Sequence, residues 1–160
     1  MNRIITISRE FGSGGRELGR RLSEKLGFAY YDQEIIQEIA RRTSLSEQYV
    51  QAIVEHRPAF SYPIHIGHSF YPVSNQPFEQ TVSIYQEQME IIQEMAVKSS
   101  CVIVGRCADY ILRDRQPFRV LVYANMESKL KRCREKGPAE EHLTDRELKQ
   151  KIQSVDRRRA

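Results

Sequence analysis

Gly12-Ser13-Gly14-Gly15-Arg16-Glu17 lies between the apolar run Ile4-Ile5-Thr6-Ile7 and a stretch with helical patterning. Glycines at a strand-to-helix turn let several backbone N–H groups converge on one anion, and the positive end of the helix adds to the attraction. The usual phosphate loop, G-x-x-x-x-G-K-[ST], supplements that cradle with a lysine for the outer phosphates and a hydroxyl for magnesium. This loop has the glycines and no lysine. Two registers compete. Counted without gaps, Gly15 takes the lysine position and Arg16 the hydroxyl position; shifted by one, Arg16 takes the lysine, Glu17 the hydroxyl and Glu10 the first glycine. In either register the N–H cradle survives, and Arg16 is the cation on the loop able to replace the lysine charge. The alternative is a tight βα turn that binds nothing. Gly12-x-Gly14 followed by Gly19 does not give G-x-G-x-x-G, so a dinucleotide fingerprint is a poor reading.

The elements that must position this loop follow from periodicity. Ile4 to Ser8 reads as a buried strand, and Arg16 to Leu26 as a helix with Leu18, Leu22 and Leu26 as its apolar face, stopped by Gly27. Phe28 to Tyr31 is a second strand, and Asp32 stands where it can cap a helix from Gln33 to Arg42. Ser44-x-x-Glu47 is a capping box for a helix ending near Glu55. From His56 to Phe78, four of the six prolines and five aromatics interrupt helical patterning, so a long loop that folds onto something is expected. Val82, Tyr85, Met89, Ile92 and Ala96 then mark one face of a long helix, with Met89 and Met95 as core filler. Cys101 to Gly105 and Phe118 to Ala124 read as strands buried on both faces of a parallel sheet. Asn125 caps a helix to Lys136 that Gly137-Pro138 ends, and Thr144-x-x-Glu147 caps a last, highly charged one. Alternating strands and helices predict α/β architecture, a mostly parallel sheet covered by helices on both faces.

With 160 residues, 40% hydrophobic and 29% charged, the chain is expected to form a single domain. It ends inside the last helix, which predicts that the native domain continues beyond Ala160. Cys101, Cys107 and Cys133 form no paired framework and no zinc spacing, pointing to a reducing, cytoplasmic setting. There is no export signal and no apolar run long enough for a bilayer. The net charge of +4 is localised: Glu127 to Ala160 hold 11 Lys and Arg against 7 Asp and Glu, while the preceding residues balance at 14 each. Nucleic-acid binding by this basic region is disfavoured, because no aromatics are interleaved there and Glu140, Glu141, Asp145 and Glu147 oppose phosphate. His65 and His68, three apart with no carboxylate or cysteine nearby, read better as loop packing or acceptor-site polar groups than as metal ligands.

Taken in order, "ITISREFGSGG", "LGFAYYDQEII", "VIVGRCADYIL", "FRVLVYANMESKLKRC" and "DRRRA" resemble the cytidylate kinase-like family of P-loop nucleoside monophosphate kinase relatives. The resemblance covers both ends of the chain and leaves residues 56–99 as an acceptor-side insertion and 127–160 as a lid region. It implies a P-loop NTPase-type three-layer α/β/α fold with a helical lid, acting on ATP and Mg2+. It further implies that Gly12, Ser13, Gly14, Gly15, Arg16 and Glu17 cradle the donor phosphates, with Lys129, Lys131 and Arg132 closing over them. Gly105-Arg106 matches the family's Gly-Arg-Asp that holds the acceptor, with Cys107 replacing the aspartate. Asp32 matches an aspartate ending the second strand; Gln33 replaces the hydroxyl residue after it, and Glu38 replaces an arginine for the acceptor phosphate. Arg41 and Arg42, one turn further on, could take over that phosphate, and Asp156 and Arg159 match an Asp-x-x-Arg that contacts the nucleotide. Glu17, Asp32 and Asp109 are the carboxylates available to Mg2+.

The expected function is phosphoryl transfer from ATP to a nucleoside monophosphate, CMP or dCMP before others, with small-molecule nucleotides as partners. A non-catalytic nucleotide-binding module that kept the fold and lost the lysine is the rival reading. The aromatic segment could cover a partner subunit as readily as its own site, so a homodimer is open.

Overall fold

The computed structural model describes residues 2–55, 76–136 and 142–159. His65, His68, most of the proline and aromatic segment, and Gly137-Pro138 lie outside the described residues. Strand β1 (Ile4–Arg9) runs into the glycine loop and helix α1 (Gly15–Leu26). Strand β2 (Ala29–Tyr31) is followed by α2 (Gln33–Thr43) and α3 (Glu47–Glu55). Helix α4 (Gln76–Lys98) leads to β3 (Cys101–Val104), α5 (Ala108–Ile111) and a 3-10 turn at Arg113–Arg115. Strand β4 (Phe118–Val122), α6 (Met126–Lys136) and α7 (Asp145–Arg159) complete the described chain.

The four strands are all parallel, in the order β2-β3-β1-β4. Each residue of β3 is fully buried. Its apolar run therefore has the two-sided cover that parallel strands need. One face carries Ile4, Cys101 and Ile103 against Ile35, Ile39, Ile84 and Ile92 of α2 and α4. The other carries Ile5, Ile7, Val102 and Val104 against Leu22 of α1. A third cluster, Cys133, Leu148 and Ile152, joins α6 to α7 and receives Phe11 from the glycine loop. The chain leaves β1 towards β2 and leaves β3 towards β4, so adjacent strands send their connections in opposite directions. A crevice opens at the carboxyl ends of β1 and β3, the place where open α/β sheets bind ligands.

Several local expectations need correction. The buried stripe of α1 is Gly15, Gly19 and Ser23, while Leu18 and Leu26 are 43% and 44% exposed. A Cβ on Gly19 would stand 2.9 Å from Val104 Cγ2 and 3.2 Å from Ile7 Cδ1, so close helix-to-sheet approach selects small residues there. Helix α4 buries Ile84, Gln88, Ile91, Ile92 and Ala96, and leaves Val82 and Met89 exposed. Gln88 holds a place in that stripe because its Nε2 donates to Arg106 O at 3.2 Å. Strand β4 is not buried on both faces, since Phe118 and Leu121 are 69% and 66% exposed. Ser46, not Ser44, caps α3, its Oγ accepting from the Tyr49 N–H at 3.2 Å. The Thr144 and Glu147 box forms reciprocally, at 2.8 Å and 3.3 Å.

Candidate active site

The glycine loop is held from both sides. Gly14 takes the N-cap of α1 with φ of 90°, and its lack of a side chain leaves the first-turn amides uncapped. Those amides, Gly15 to Glu17, have no preceding carbonyl to bond and are free for an anion. Upstream, the Glu10 N–H donates to Val122 O at 3.0 Å, and Glu10 Oε2 accepts from the Ala124 N–H at 3.2 Å and from Lys129 Nζ at 2.7 Å. The Phe11 N–H donates to Asp156 Oδ1 at 2.6 Å, and the other oxygen of Asp156 accepts from Lys129 Nζ at 2.8 Å. Burial alone would lower the Lys129 ammonium, but its bonds to Asp156 and Glu10 outweigh that and raise it.

Helix α6 lies directly on the loop. A Cβ on Gly12 would meet Cys133 Sγ at 2.9 Å, and one on Gly14 would meet Arg132 Cζ at 2.8 Å. Positions 129, 132, 133 and 136 share one helical face, so Lys129, Arg132 and Lys136 turn to the loop, and exposed Lys131 lies off that face. Arg132 and Lys136 both bond Glu17 Oε2, the lysine at 2.6 Å, while Arg21 reaches Oε1 at 2.6 Å. The Lys136 bond leads the causes that hold the Glu17 carboxyl below the usual glutamate range. The glycine loop, α6 and α7 border a cavity of about 320 Å³ that includes Arg9, Arg16, Arg132, Lys136 and Arg159 in its lining. Lys129 and Lys131 do not line it.

Across the crevice, Arg16 Nε bonds Asp32 Oδ2 at 2.7 Å. Asp32 occupies the N-cap position of α2 without making the capping bond, so its carboxylate serves Arg16 instead. Gly105, Arg106 and Cys107 follow β3 in left-handed conformations, with φ of 72°, 60° and 53°. Two successive non-glycine residues in that region cost of order 1 kcal/mol each and cluster at functional sites. Arg106 is 8% exposed, and its Nε and Nη2 have no partner among the described residues. Asp32 Oδ1 is likewise buried and unpartnered. Buried, unsatisfied donors of a guanidinium call for an anionic ligand. Arg41 is exposed and bonded to Glu38 at 2.6 Å, and Arg42 bonds Glu38 and Glu94, so both are committed along the helix surface.

For Mg2+ the carboxylates differ. Glu17 is covered by three cations, and no group of three or more ligating side chains occurs among the described residues. The side chain of Asp109, half-buried on α5, has no hydrogen bond or ion pair among the described residues. Asp32 Oδ1 is a buried carboxylate oxygen at the site with no hydrogen-bond partner among the described residues. The residues fit Mg2+ as an ion carried by nucleotide phosphates and water, its common mode, rather than one caged by protein. Sequence reasoning missed Arg9, Glu10, Phe11 and Lys136. Lys136 was legible from its four-residue spacing to Arg132; Arg9 and Glu10 were not, because β1 ends beside α6 and β4 only through tertiary packing.

The sequence pattern of the cytidylate kinase-like family matches residues 4–160, and the chain belongs to that family. No curated protein matches it in sequence. Among solved structures, it is similar to an uncharacterised protein from Eubacterium ventriosum, at 25% identity and a TM-score of 0.63, covering 99% of this chain and 73% of that one. Shikimate kinase from Bacteroides thetaiotaomicron shares the fold at 16% identity and a TM-score of 0.56, over 96% of this chain and 77% of that one. TT1252 from Thermus thermophilus does so at 15% identity and 0.58, over 99% and 81%. Family and fold support a kinase acting on a nucleotide or another small molecule. Among the described residues no helix is long and apolar enough to cross a membrane.

Proposed function

We propose that this member of the cytidylate kinase-like family transfers a phosphoryl group from ATP to a nucleoside monophosphate, CMP or dCMP before others. The observation that carries the reading is the pairing of a cation-lined cavity at the glycine loop with buried Arg106, which has two unpartnered donors at the neighbouring strand end. Phosphoryl transfer asks little covalent chemistry of a protein; it needs two phosphates in line and their charge neutralised. The free amides of Gly15 to Glu17 and the side chains of Arg132 and Lys136 would receive the donor phosphates. Arg106 would take the acceptor phosphate. Arg16, anchored through Nε to Asp32, keeps its remaining donors for the phosphate between them. Mg2+ would neutralise the donor oxygens, with Asp32 Oδ1 as the carboxylate able to reach it directly or through water. Lys129 and Asp156 act one step removed, fixing Phe11 and Glu10 so that the loop keeps its shape.

The reading is tested by ADP release from ATP and Mg2+ across CMP, dCMP, UMP, AMP and GMP. Turnover confined to one or two acceptors supports it, and a Arg106→Met variant should then lose acceptor saturation before ATP saturation. A second reading has its own observation: Glu38 stands where an acceptor arginine is expected and ties up Arg41 and Arg42. Nucleotide binding without turnover on the whole panel would make the protein a regulatory nucleotide-binding module.

A further inference from the structure

We propose that Arg9 carries the cation of the phosphate loop, rising from the position of the loop's first glycine into the room that a lysine at position 15 would need. The inference rests on the phosphate-binding reading of the loop and adds a residue that the sequence pattern leaves without a role.

The register comes first. Helix α1 begins at Gly15, directly after the left-handed N-cap Gly14, so the ungapped count describes the loop. In that count G-x-x-x-x-G-K places its glycines at 9 and 14 and its lysine at 15. This chain has arginine at 9 and glycine at 15, the two residue types exchanged. The exchange is steric as well as chemical. A Cβ on Gly15 would stand 2.5 Å from Arg9 Cβ and 3.0 Å from Arg9 Cγ. Gly15 has ordinary helical backbone, so its lack of a side chain answers to the arginine stem and not to an unusual φ. At the far end, a Cβ on Gly105 would meet Arg9 Nη1 at 2.0 Å and Cζ at 2.7 Å. Two glycines thus admit one side chain, which passes from the donor loop to the residue before Arg106.

Charge supports the same role. The Arg9 side chain lines the cavity and has no hydrogen bond or ion pair among the described residues. Burial, followed by repulsion from Arg159 and Arg16, pushes its guanidinium down to about 10, against attraction from Asp32 and Glu55. Arg106 feels the same two acids, with repulsion from Arg9 and Arg16. A desolvated guanidinium among like charges is unfavourable in itself and is complementary to a multiply charged phosphate. Arg16, by contrast, already spends Nε on Asp32.

The test is calorimetric titration of inorganic tripolyphosphate, and separately of ATP with Mg2+, into the unaltered chain and into Arg9→Met, Arg9→Lys, Arg16→Met and the double swap R9G/G15K, with thermal midpoints measured in parallel. Arg9→Met should weaken tripolyphosphate at least tenfold, Arg9→Lys less, and Arg16→Met less than Arg9→Met. Without ligand, Arg9→Met should melt no lower than the unaltered chain, because an unpaired charge has gone; a purely structural arginine would lower the midpoint. The double swap restores the usual loop and should recover most of the binding, which keeps the idea testable if Arg9→Met folds poorly. Unchanged tripolyphosphate affinity in Arg9→Met overturns the proposal, as does a double swap that folds and stays weak. If the unaltered chain binds tripolyphosphate but phosphorylates no acceptor, the kinase reading fails and the Arg9 assignment stands; if both Arg9→Met and the unaltered chain bind and turn over alike, the reverse holds.

Discussion

Lys129 Nζ lies 2.8 Å from Asp156 Oδ2 and 2.7 Å from Glu10 Oε2, so one buried ammonium joins α6, α7 and the glycine loop. Breaking a buried pair costs about 3 kcal/mol or more where the remaining charge is left alone; Lys129 without Asp156 would keep Glu10, so the cost is smaller. Asp156 also accepts the Phe11 N–H, so its loss orphans a backbone donor as well. Through both losses together, Asp156→Ala should lower unfolding stability by about 3 kcal/mol in urea titrations. A change within about 0.5 kcal/mol, the usual range for surface substitutions, would show that the pair is solvated and does not hold the loop.

Helix α1 offers a contrast between size and apolarity. Valine at position 19 must place its branch against Val104 and Ile7, where a Cβ already stands 2.9 Å and 3.2 Å from their methyls. Gly19→Val should cost about 2 kcal/mol through overpacking, despite the better helix propensity. Leu18→Ala, at a position 43% exposed, should cost less than about 1 kcal/mol. Thermal or urea unfolding of the two variants gives the order, and the reverse order would place the leucine stripe against the sheet.

Acid sensitivity should report Glu38. Bonds from Arg41 and then Arg42 lower its carboxyl from 4.5 to about 2. A depressed carboxyl stabilises the fold fully above its unfolded value and loses that contribution as pH falls through the folded one. The difference in thermal midpoint between the unaltered chain and Glu38→Gln should be constant above about pH 4.5 and close towards zero near pH 2. A difference that persists at pH 2 would mean that the pairs contribute nothing through ionisation.

Periodicity located the described strands and the longer described helices, because alternating apolar runs and glycine breaks are local signals, and it missed the short helix α5. It failed where packing used residues that carry no hydrophobic signal. Glycine at 15 and 19 and serine at 23 are invisible to an apolar count, yet they form the buried stripe of α1. Gln88 broke the pattern of α4 for the same reason, being buried to bond Arg106 O. At the site, Arg16, Arg106 and Asp32 were legible because they lie at or beside element ends. Lys129 and Lys131 share the lid helix with Arg132, but only the helical phase, fixed by Cys133 against Gly12, decides which of them meets the loop. Arg9 could not be recognised from the chain alone, since the two glycines that make room for it are 6 and 96 residues away.

On the proposed reading, Glu17 competes with donor phosphates for the cations of α6. It stands where a phosphate loop in the shifted register carries a hydroxyl, and it binds Arg132, Lys136 and Arg21 at once. Donor phosphates entering the cavity must draw Arg132 and Lys136 away from this carboxylate. The competition is between partly exposed groups, so its size is that of surface pairs and falls with salt. Glu17→Gln keeps the shape, removes the competing charge, and should raise affinity for ATP without Mg2+ by about threefold to tenfold at low ionic strength. Raising salt should shrink the gain. If Glu17 instead contacts Mg2+, the variant would bind ATP unchanged without the ion and lose affinity with it. Titrating ATP with and without Mg2+ into both proteins separates a carboxylate that holds the lid from one that holds the metal.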